Sequence, residues 1–212
     1  MKVLAAAAWE PELTALRELV ARTMPGADVV FGAIGVGVVE AAAGMTRRIA
    51  EHGPDVALLL GTCGALSPIP VGDVVAVASV ELVDAAVLAG DAELVGPMPR
   101  AVTLDAALHA DAVASGARSV RVANTAGITI TDAHAARLAG WDVEHLEAFG
   151  FARACEASGV KSAILLAVAN PVGARGRDAW RANHVAASAR AAEAAHAAIV
   201  RMSTRARSTA GP

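Results

Sequence analysis

Acidic and amide side chains stand where they could act together on a polar ligand. Glu147 opens a segment of helical character, and Asn170 closes the apolar run that follows it. A helix that leads back into a strand brings both residues to one edge of a sheet. In open α/β sheets, ligands bind at the edge formed by the carboxyl ends of the strands. We therefore expect Glu147 and Asn170 to face a common site, and we expect Glu144, like Glu147, to lie at the start of the helix Ala148–Ser158.

A third acidic residue, Glu12, follows Pro11 directly after the first apolar run. Proline at the first helical position and acidic residues in the first turn are typical of a helix start. Taken by itself, this local pattern favours a solvent-exposed Glu12 that interacts with the helix dipole. A catalytic role for Glu12 needs further support.

Strand-like and helix-like segments alternate along the chain, which predicts an α/β sandwich with a central sheet. The expected strands are Lys2–Ala8, Asp28–Ile34, Asp55–Leu60, Val71–Val83, Ser119–Ala126 and Lys161–Ala169. Helices are expected from Glu10, after Gly37, over Thr103–Ser115, Ala133–Leu138 and Ala148–Ser158, and from Arg177 or Asp178 to about Met202. Asp84–Arg100 is predicted to be a loop. Residues 1–202 are predicted to form one domain and residues 203–212 a flexible tail.

Composition excludes several classes of function. The net charge is −3 and the basic residues are scattered, which argues against a nucleic-acid partner. No apolar run has the length of a membrane span. The apolar run at Val3–Trp9 is followed at once by glutamates, so it predicts a buried strand of a cytoplasmic protein rather than a secretory signal.

Cysteine and histidine show no spacing typical of metal ligands. Cys63 and Cys155 are far apart and lack a second pair, so neither a disulfide framework nor a zinc site is expected. The six histidines are predicted to be surface or helix-capping residues, with His145 alone near the expected site. The sequence therefore predicts no metal and no cofactor.

Two segments around the expected site resemble futalosine hydrolases. EHLEAFGFA, from Glu144, resembles the family segment E-x-M-E-G-F-G-V-A. ANPVGARGRDAW, from Ala169, is similar to S-N-x-V-G-x-R-D-R-x-x-W. These enzymes belong to the larger superfamily of nucleoside phosphorylases and methylthioadenosine/adenosylhomocysteine nucleosidases.

Three further segments resemble that superfamily, in the same order. AWEPE, ending at Glu12, matches A-M-E-x-E, and GVGVVEAA, from Gly35, resembles G-I-G-K-V-N-A-A. GTCGAL, from Gly61, followed by VGDVV, is similar to G-[ST]-x-G-[GA]-L followed by V-G-D-[IV]-V. The resemblance implies a three-layer α/β/α sandwich with a central mixed sheet, as in nucleoside phosphorylases. It also implies a homodimer or a higher homo-oligomer.

The resemblance also implies roles for individual residues. Glu12 would activate the attacking water, Glu147 would hold the ribose hydroxyls, and Asn170 would support the departing purine. The other residues expected to bind substrate are Gly35, Gly61, Thr62, Gly64, Leu146, Arg175 and Arg177. The implied reaction cleaves the N-glycosidic bond of a purine nucleoside. The expected substrate is futalosine, which would give hypoxanthine and dehypoxanthine futalosine, a reaction of menaquinone biosynthesis.

The residue type at position 170 predicts which purine the site accepts. An asparagine amide can donate to a 6-keto oxygen, whereas an ionised aspartate can only accept, as a 6-amino group requires. Such a polar mismatch can discriminate strongly between substrates. Asn170 therefore favours a 6-oxopurine such as hypoxanthine.

Departures from the family pattern leave alternatives open. Leu59 stands where phosphorylases of the superfamily carry an arginine, so water is the expected nucleophile. Leu166 replaces a family arginine, Leu146 a methionine and Ala169 a serine. The alternatives are a methylthioadenosine/adenosylhomocysteine-type nucleosidase, a phosphorylase, or a catalytically degenerate homologue that only binds a nucleoside. Arg175 or Arg177 would restore the missing charge if either could reach the space left by Leu166.

Overall fold

Strands rich in Val, Leu and Ala form a mixed sheet in the computed structural model, which describes residues 1–209. The strands are β1 Val3–Ala7, β2 Val29–Ala33, β3 Val56–Ala65, β4 Val74–Leu82, β5 Ala101–Thr103, β6 Arg118–Asn124, β7 Val143–His145 and β8 Lys161–Pro171. β8 is buried from Ser162 to Asn170 because helices pack on both of its faces. An almost unbroken apolar run is typical of a strand covered on both faces.

The sheet order is β2-β1-β3-β7-β6-β4-β5, with β8 paired to both β3 and β4. β8 runs parallel to β3 and antiparallel to β4, and β7 runs antiparallel to β3. The sheet is therefore mixed, as the resemblance implied. The pairings among β3, β7, β6, β4 and β8 also form a closed circuit, which was not predicted from the sequence.

Helices cover both faces of the sheet, which confirms the predicted three-layer architecture. The helices are α1 Thr14–Thr23, α2 Val38–His52, α3 Ala85–Ala89, α4 Ala106–Ala114, α5 Asp132–Arg137, α6 Ala148–Ala157 and α7 Gly176–Thr209. Met45 of α2 and Phe151 of α6 belong to the apolar cluster on one face. Leu16 of α1, Leu108 of α4 and Ile199 of α7 belong to the cluster on the other face.

Two local predictions between residues 84 and 115 were wrong. The segment predicted as a loop contains α3, whose start is capped because the Asp84 side chain accepts from the N–H groups of Ala86 and Val87. The helix predicted from Thr103 begins only at Ala106, because residues 101–103 pair with β4 as β5. Both helices begin at an aspartate cap, a signal that the sequence interpretation did not use.

The final helix is longer than predicted. α7 continues to Thr209 and so includes residues 203–209, which were predicted as part of a flexible tail, whereas residues 210–212 lie outside the described part of the chain. Met202 is buried, and Arg205 forms an ion pair with Asp111 and donates to the Ala107 carbonyl oxygen. These contacts with α4 stabilise the end of the helix.

The carboxyl ends of β1, β3 and β8 lie at the same edge of the sheet, because these three strands run parallel to one another. The register between β3 and β8 shifts after Cys63, and beyond it Gly64 lies opposite Asn170. A 3₁₀ turn, Glu10–Leu13, follows β1 at the same edge. Among residues 1–209, no helix combines the length and apolar character needed to cross a membrane.

Candidate active site

A cavity of about 530 Å³ opens at the carboxyl ends of β1, β3 and β8. Its polar lining consists of Glu12, Thr62, Glu144, His145, Glu147, Asn170, Arg177 and Arg181, and its other lining residues are Ala8, Trp9, Val36, Cys63, Gly64, Ile128, Leu146, Gly176 and Trp180. The structure thus brings Glu12, Glu147 and Asn170 together, although they are far apart in sequence. Among the described residues, no group of three or more His, Cys, Asp or Glu side chains is arranged to hold a metal ion.

Glu12 is buried beside a second carboxylate. Its exposed fraction is 7%, so the interpretation of Glu12 as a solvent-exposed helix residue is wrong. Burial, and then the negative charge of Glu147, raise its pKa to about 7, while N–H groups of Thr62, Trp9 and Ala8 act in the opposite direction. A Cβ atom on Gly61 would lie 3.2 Å from Glu12 Oε1, so a glycine on β3 gives the carboxylate its space.

Glu147 is held by the start of α2. It is buried at the N-terminus of α6, and its Oε1 accepts a hydrogen bond of 2.8 Å from the Gly37 N–H. Gly37 has a φ of 89°, a conformation that favours glycine. Gly35, the glycine predicted to bind substrate, lies outside the cavity lining, in a separate depression with Arg47 and Arg48. Gly37 therefore acts at the site through Glu147, in place of the contact expected from Gly35.

Asn170 lies at the end of β8 in a space bounded by two glycines. Its Nδ2 donates a hydrogen bond of 2.8 Å to the Pro171 carbonyl oxygen, and the amide retains a second N–H. Cβ atoms on Gly64 and Gly176 would lie 3.1 and 3.2 Å from Nδ2. Gly64 of the GTCGAL segment thus makes room for Asn170, the side chain that the resemblance implied would support the purine.

Thr62 lies on the cavity wall and binds the final helix. Its Oγ1 accepts a hydrogen bond of 3.2 Å from Trp180 Nε1, and the Trp180 ring stacks on His184 with 4.3 Å between ring centroids. The Thr62 hydroxyl proton remains able to donate into the cavity. Leu146, which was also expected to bind substrate, lies in the cavity lining as well.

Arginines enter the cavity from α7. Arg177 and Arg181, one helical turn apart, both line it, whereas Arg175 does not. Leu166 is fully buried in the apolar core and lies outside the cavity lining. The Leu166 side chain therefore occupies a position in the apolar core and leaves no space in the cavity. Neither Arg175 nor Arg177 has to move into its place.

Glu144 and His145 line the cavity, although the sequence interpretation gave neither a role in binding. Glu144 accepts hydrogen bonds from Thr125 Oγ1 at 3.0 Å and from Thr129 Oγ1 at 2.6 Å. His145 is buried, so a surface position is wrong, but its Nδ1 accepts from N–H groups at the start of α6, which confirms the capping alternative. The signal in the sequence was the clustering of these residues with Glu147 in one short segment.

The arrangement suits proton transfer next to a bound polar ligand. A general base works best when its pKa lies near the working pH, and Glu12 satisfies this condition. Glu147 and Asn170 add an acceptor and a donor at other points of the same cavity. Cys63 does not fit the role of nucleophile, because burial raises its pKa well above the usual range.

Comparison with known proteins gives results that agree with this geometry. The model of the family described as the phosphorylase superfamily matches residues 4–204. The futalosine hydrolase of Thermus thermophilus is 32% identical over 173 residues, covering 76% of this chain and 77% of that protein. The futalosine hydrolase of Streptomyces coelicolor is 45% identical over 78 residues, but the match spans only 33% of that protein.

A solved structure shares the fold at low sequence identity. The 5'-methylthioadenosine/S-adenosylhomocysteine nucleosidase of Neisseria meningitidis, in complex with methylthio-immucillin-A, has a TM-score of 0.83 and 20% identity. The match covers 93% of this chain and 98% of that one. At this identity the similarity establishes the fold and leaves the substrate to be argued from the site.

Proposed function

Because the chain belongs to the phosphorylase superfamily, we propose that it is an N-ribosyl hydrolase that cleaves futalosine to hypoxanthine and dehypoxanthine futalosine. The observation that carries the proposal is Glu12, a buried carboxylate with a pKa of about 7 beside Glu147. The similarity to two futalosine hydrolases supports the choice of substrate.

Three residues divide the chemistry in this proposal. Ionised Glu12 takes a proton from water as that water attacks the anomeric carbon. Glu147 accepts hydrogen bonds from ribose hydroxyls, and Asn170 donates to the purine as negative charge develops on it. Cleavage of an N-glycosidic bond passes through a sugar with oxocarbenium character, which nearby carboxylates stabilise.

Water, rather than phosphate, is the proposed nucleophile. Leu59 occupies the position that the family pattern gives to an arginine in phosphorylases of the superfamily. Its side chain is fully buried in the apolar core. The region around Glu12 also contains the negative charge of Glu147, which would repel a phosphate dianion. Both features support hydrolysis over phosphorolysis.

Arg177 and Arg181 are the proposed partners of a carboxylate on the far end of a futalosine-like substrate. Both line the cavity, and a guanidinium pairs well with a carboxylate. Arg177→Gln should raise KM for futalosine about 10- to 150-fold, which corresponds to the loss of one hydrogen bond to a charged group. It should leave KM for inosine, which lacks the carboxylate, unchanged. Arg175→Gln is the matched control, because Arg175 lies outside the cavity lining.

A panel of nucleosides tests the proposed function directly. The purified protein is incubated with futalosine, inosine, adenosine and methylthioadenosine, and the free base is measured. Futalosine should be the best substrate, with hypoxanthine as the base released. Faster release of adenine from methylthioadenosine would favour the second type of nucleosidase. Binding of futalosine without release of base would favour a degenerate homologue.

A homodimer or higher homo-oligomer is also proposed. The exposed apolar side chains of Val36 and Ile128 line the cavity, and those of Val39 and Ile130, close to them in sequence, are also exposed; the four exposed fractions are 53–73%. Such a patch is typical of an interaction surface. Sedimentation of the purified protein would distinguish this proposal from a monomer. The cytoplasmic location and the role in menaquinone biosynthesis stay predictions.

A further inference from the structure

His145 has one ring nitrogen whose role is fixed by the backbone. Its Nδ1 accepts hydrogen bonds from the N–H groups of Glu147 at 3.2 Å and Ala148 at 3.1 Å. Both partners are donors, so Nδ1 must be unprotonated. Burial lowers the pKa of the imidazole, although the charges of Glu147 and Glu144 oppose this effect. The ring is therefore neutral, and its single proton is on Nε2.

The Nε2–H group has no hydrogen-bond partner among residues 1–209. The side chain is 6% exposed, and the residue lines the cavity together with Glu12, Glu147 and Asn170. Among the described residues, Asp111 Oδ2 is the one fully buried side-chain polar atom without a hydrogen-bond partner, so Nε2 remains accessible to water or a ligand in the cavity. The unpartnered donor is thus available to an acceptor that enters the cavity.

The neighbouring carboxylate indicates which acceptor this is. Glu147 Oε2 lies 3.3 Å from His145 Nδ1, so the imidazole stands beside the group proposed to accept from ribose. The distance is measured from Nδ1, and the Nε2–H group lies on the other side of the ring. A ribose that binds Glu147 therefore has further oxygens, with lone pairs to accept, in the region that Nε2–H can reach.

We propose that His145 is a further substrate-binding residue, whose Nε2–H donates to a hydroxyl oxygen of the ribose that Glu147 holds. The proposal rests on the proposed function, because it assumes a ribonucleoside in this cavity. It gives the site a means of selecting ribose over a sugar that lacks that hydroxyl.

Two substitutions separate this role from helix capping. In His145→Asn, the amide oxygen can take the place of Nδ1 as the cap acceptor, as asparagine does at helix starts, while the Nε2 donor is lost. In His145→Gln, the longer side chain can carry an N–H near the position of Nε2, while the cap is weakened. His145→Asn should therefore keep its thermal stability, and His145→Gln should lose some of it.

The test compares futalosine with its 2′-deoxy and 3′-deoxy analogues. His145→Asn should lower kcat/KM about 5- to 50-fold for futalosine and for the analogue that retains the contacted hydroxyl. It should leave kcat/KM nearly unchanged for the analogue that lacks this hydroxyl. His145→Gln should retain much of the wild-type preference for the ribose form. The three substrates differ in the intrinsic stability of their glycosidic bonds. The ratio of kcat/KM between variant and wild type is therefore taken on each substrate, because this difference cancels in the ratio.

Equal losses on all three substrates, or no loss on any, would overturn the role of His145 while leaving the proposed function intact. If His145→Asn does not fold, a His145→Gln protein that no longer prefers the ribose form would overturn it equally. A wild-type protein that releases no base from any of the three substrates would instead overturn the proposed function, and this inference with it.

Discussion

At the scale of single residues, the main electrostatic feature is Glu12, which burial and the neighbouring Glu147 both act to protonate. Its pKa of about 7 lets the carboxylate be ionised in part of the population and still hold a proton well. A carboxylate in water, with a pKa near 4, would be a weaker base. The same environment that suits catalysis should also cost folding stability.

Glu12→Gln tests the catalytic role. The amide keeps the shape of the side chain but cannot take a proton from water. We expect kcat to fall about 10²- to 10⁴-fold, as is usual when a general base is removed, with little change in substrate affinity. The measurement is steady-state kinetics together with a binding isotherm. A wild-type kcat in this variant would return Glu12 to a purely structural role.

The same substitution should change stability in a pH-dependent way. The pKa of Glu12 is about 7 in the folded protein and 4.5 for an unperturbed glutamate, so between these values the folded state binds more protons. Stability from this group is therefore present at low pH and lost as pH rises through about 7. Glu12→Gln should raise the melting temperature relative to wild type at about pH 8, but not at about pH 4. An equal difference at both pH values would contradict the raised pKa.

Asn170→Asp tests the preference for a 6-oxopurine. Wild type should release hypoxanthine from a 6-oxo nucleoside faster than adenine from its 6-amino analogue. The ionised carboxylate of the variant repels a keto oxygen and accepts from an amino group, so the balance should move towards adenine. We expect a change of about 1–3 kcal/mol, or roughly 5- to 150-fold in the ratio of kcat/KM values. An unchanged ratio would show that Asn170 does not contact the base in this way.

At the scale of elements, the site depends on how closely α6 packs on α2. A Cβ atom at Gly150 of α6 would overlap the Val38 carbonyl oxygen and lie 2.9 Å from the Ala42 nitrogen. Glu147 precedes Gly150 by one helical turn and binds Gly37, at the start of α2. The spacing between the two helices therefore controls the position of the Glu147 carboxylate.

Gly150→Ala should push α6 away from α2. We expect a loss of about 1–3 kcal/mol in the free energy of unfolding, as for other overpacked sites, despite the higher helix propensity of alanine. KM for the nucleoside should rise as well, because Glu147 moves with α6. Gly140→Ala is the control, since no atom lies within 4 Å of its added Cβ. Equal stability of the two variants would contradict the close approach of the helices.

Strands and helices with strong apolar patterns could be predicted from the sequence. The site residues that these elements carry could be predicted as well. The apolar run of β8 and the helix α6 lie where expected, and they bring Asn170 and Glu147 to one cavity. β5 was missed because three residues carry too little pattern to indicate a strand, and it depends on pairing with β4. Gly37, rather than Gly35, contacts the site through Glu147. This depends on the backbone geometry of the turn, which the spacing of residues in the sequence does not reveal.

The burial of polar groups was the hardest feature to predict. Glu144 and His145 are polar by type, yet both lie on β7, a buried strand between β3 and β6. Burial becomes acceptable only because Thr125 and Thr129 donate to Glu144 and the start of α6 donates to His145. These partners are distant in sequence or belong to the backbone, so local patterns could not reveal them.

At the scale of the whole molecule, the site is supported by the closed circuit of paired strands from β3 through β7, β6, β4 and β8. β3 supplies Thr62 and Gly64, β7 supplies Glu144 and β8 supplies Asn170, all within one hydrogen-bonded sheet. Sites supported by regular elements hold their geometry better than sites on loops. Glu12 joins them from the 3₁₀ turn after β1.

The central claim, that the protein cleaves a purine nucleoside with water, is tested most directly by isotope labelling. The purified protein is incubated with futalosine and inorganic phosphate in water enriched in oxygen-18, and the sugar product is analysed by mass spectrometry. The account predicts free hypoxanthine, a sugar that carries the label at its anomeric hydroxyl, and a rate that does not depend on phosphate. A sugar 1-phosphate without the label, formed at a rate that rises with phosphate concentration, would contradict it.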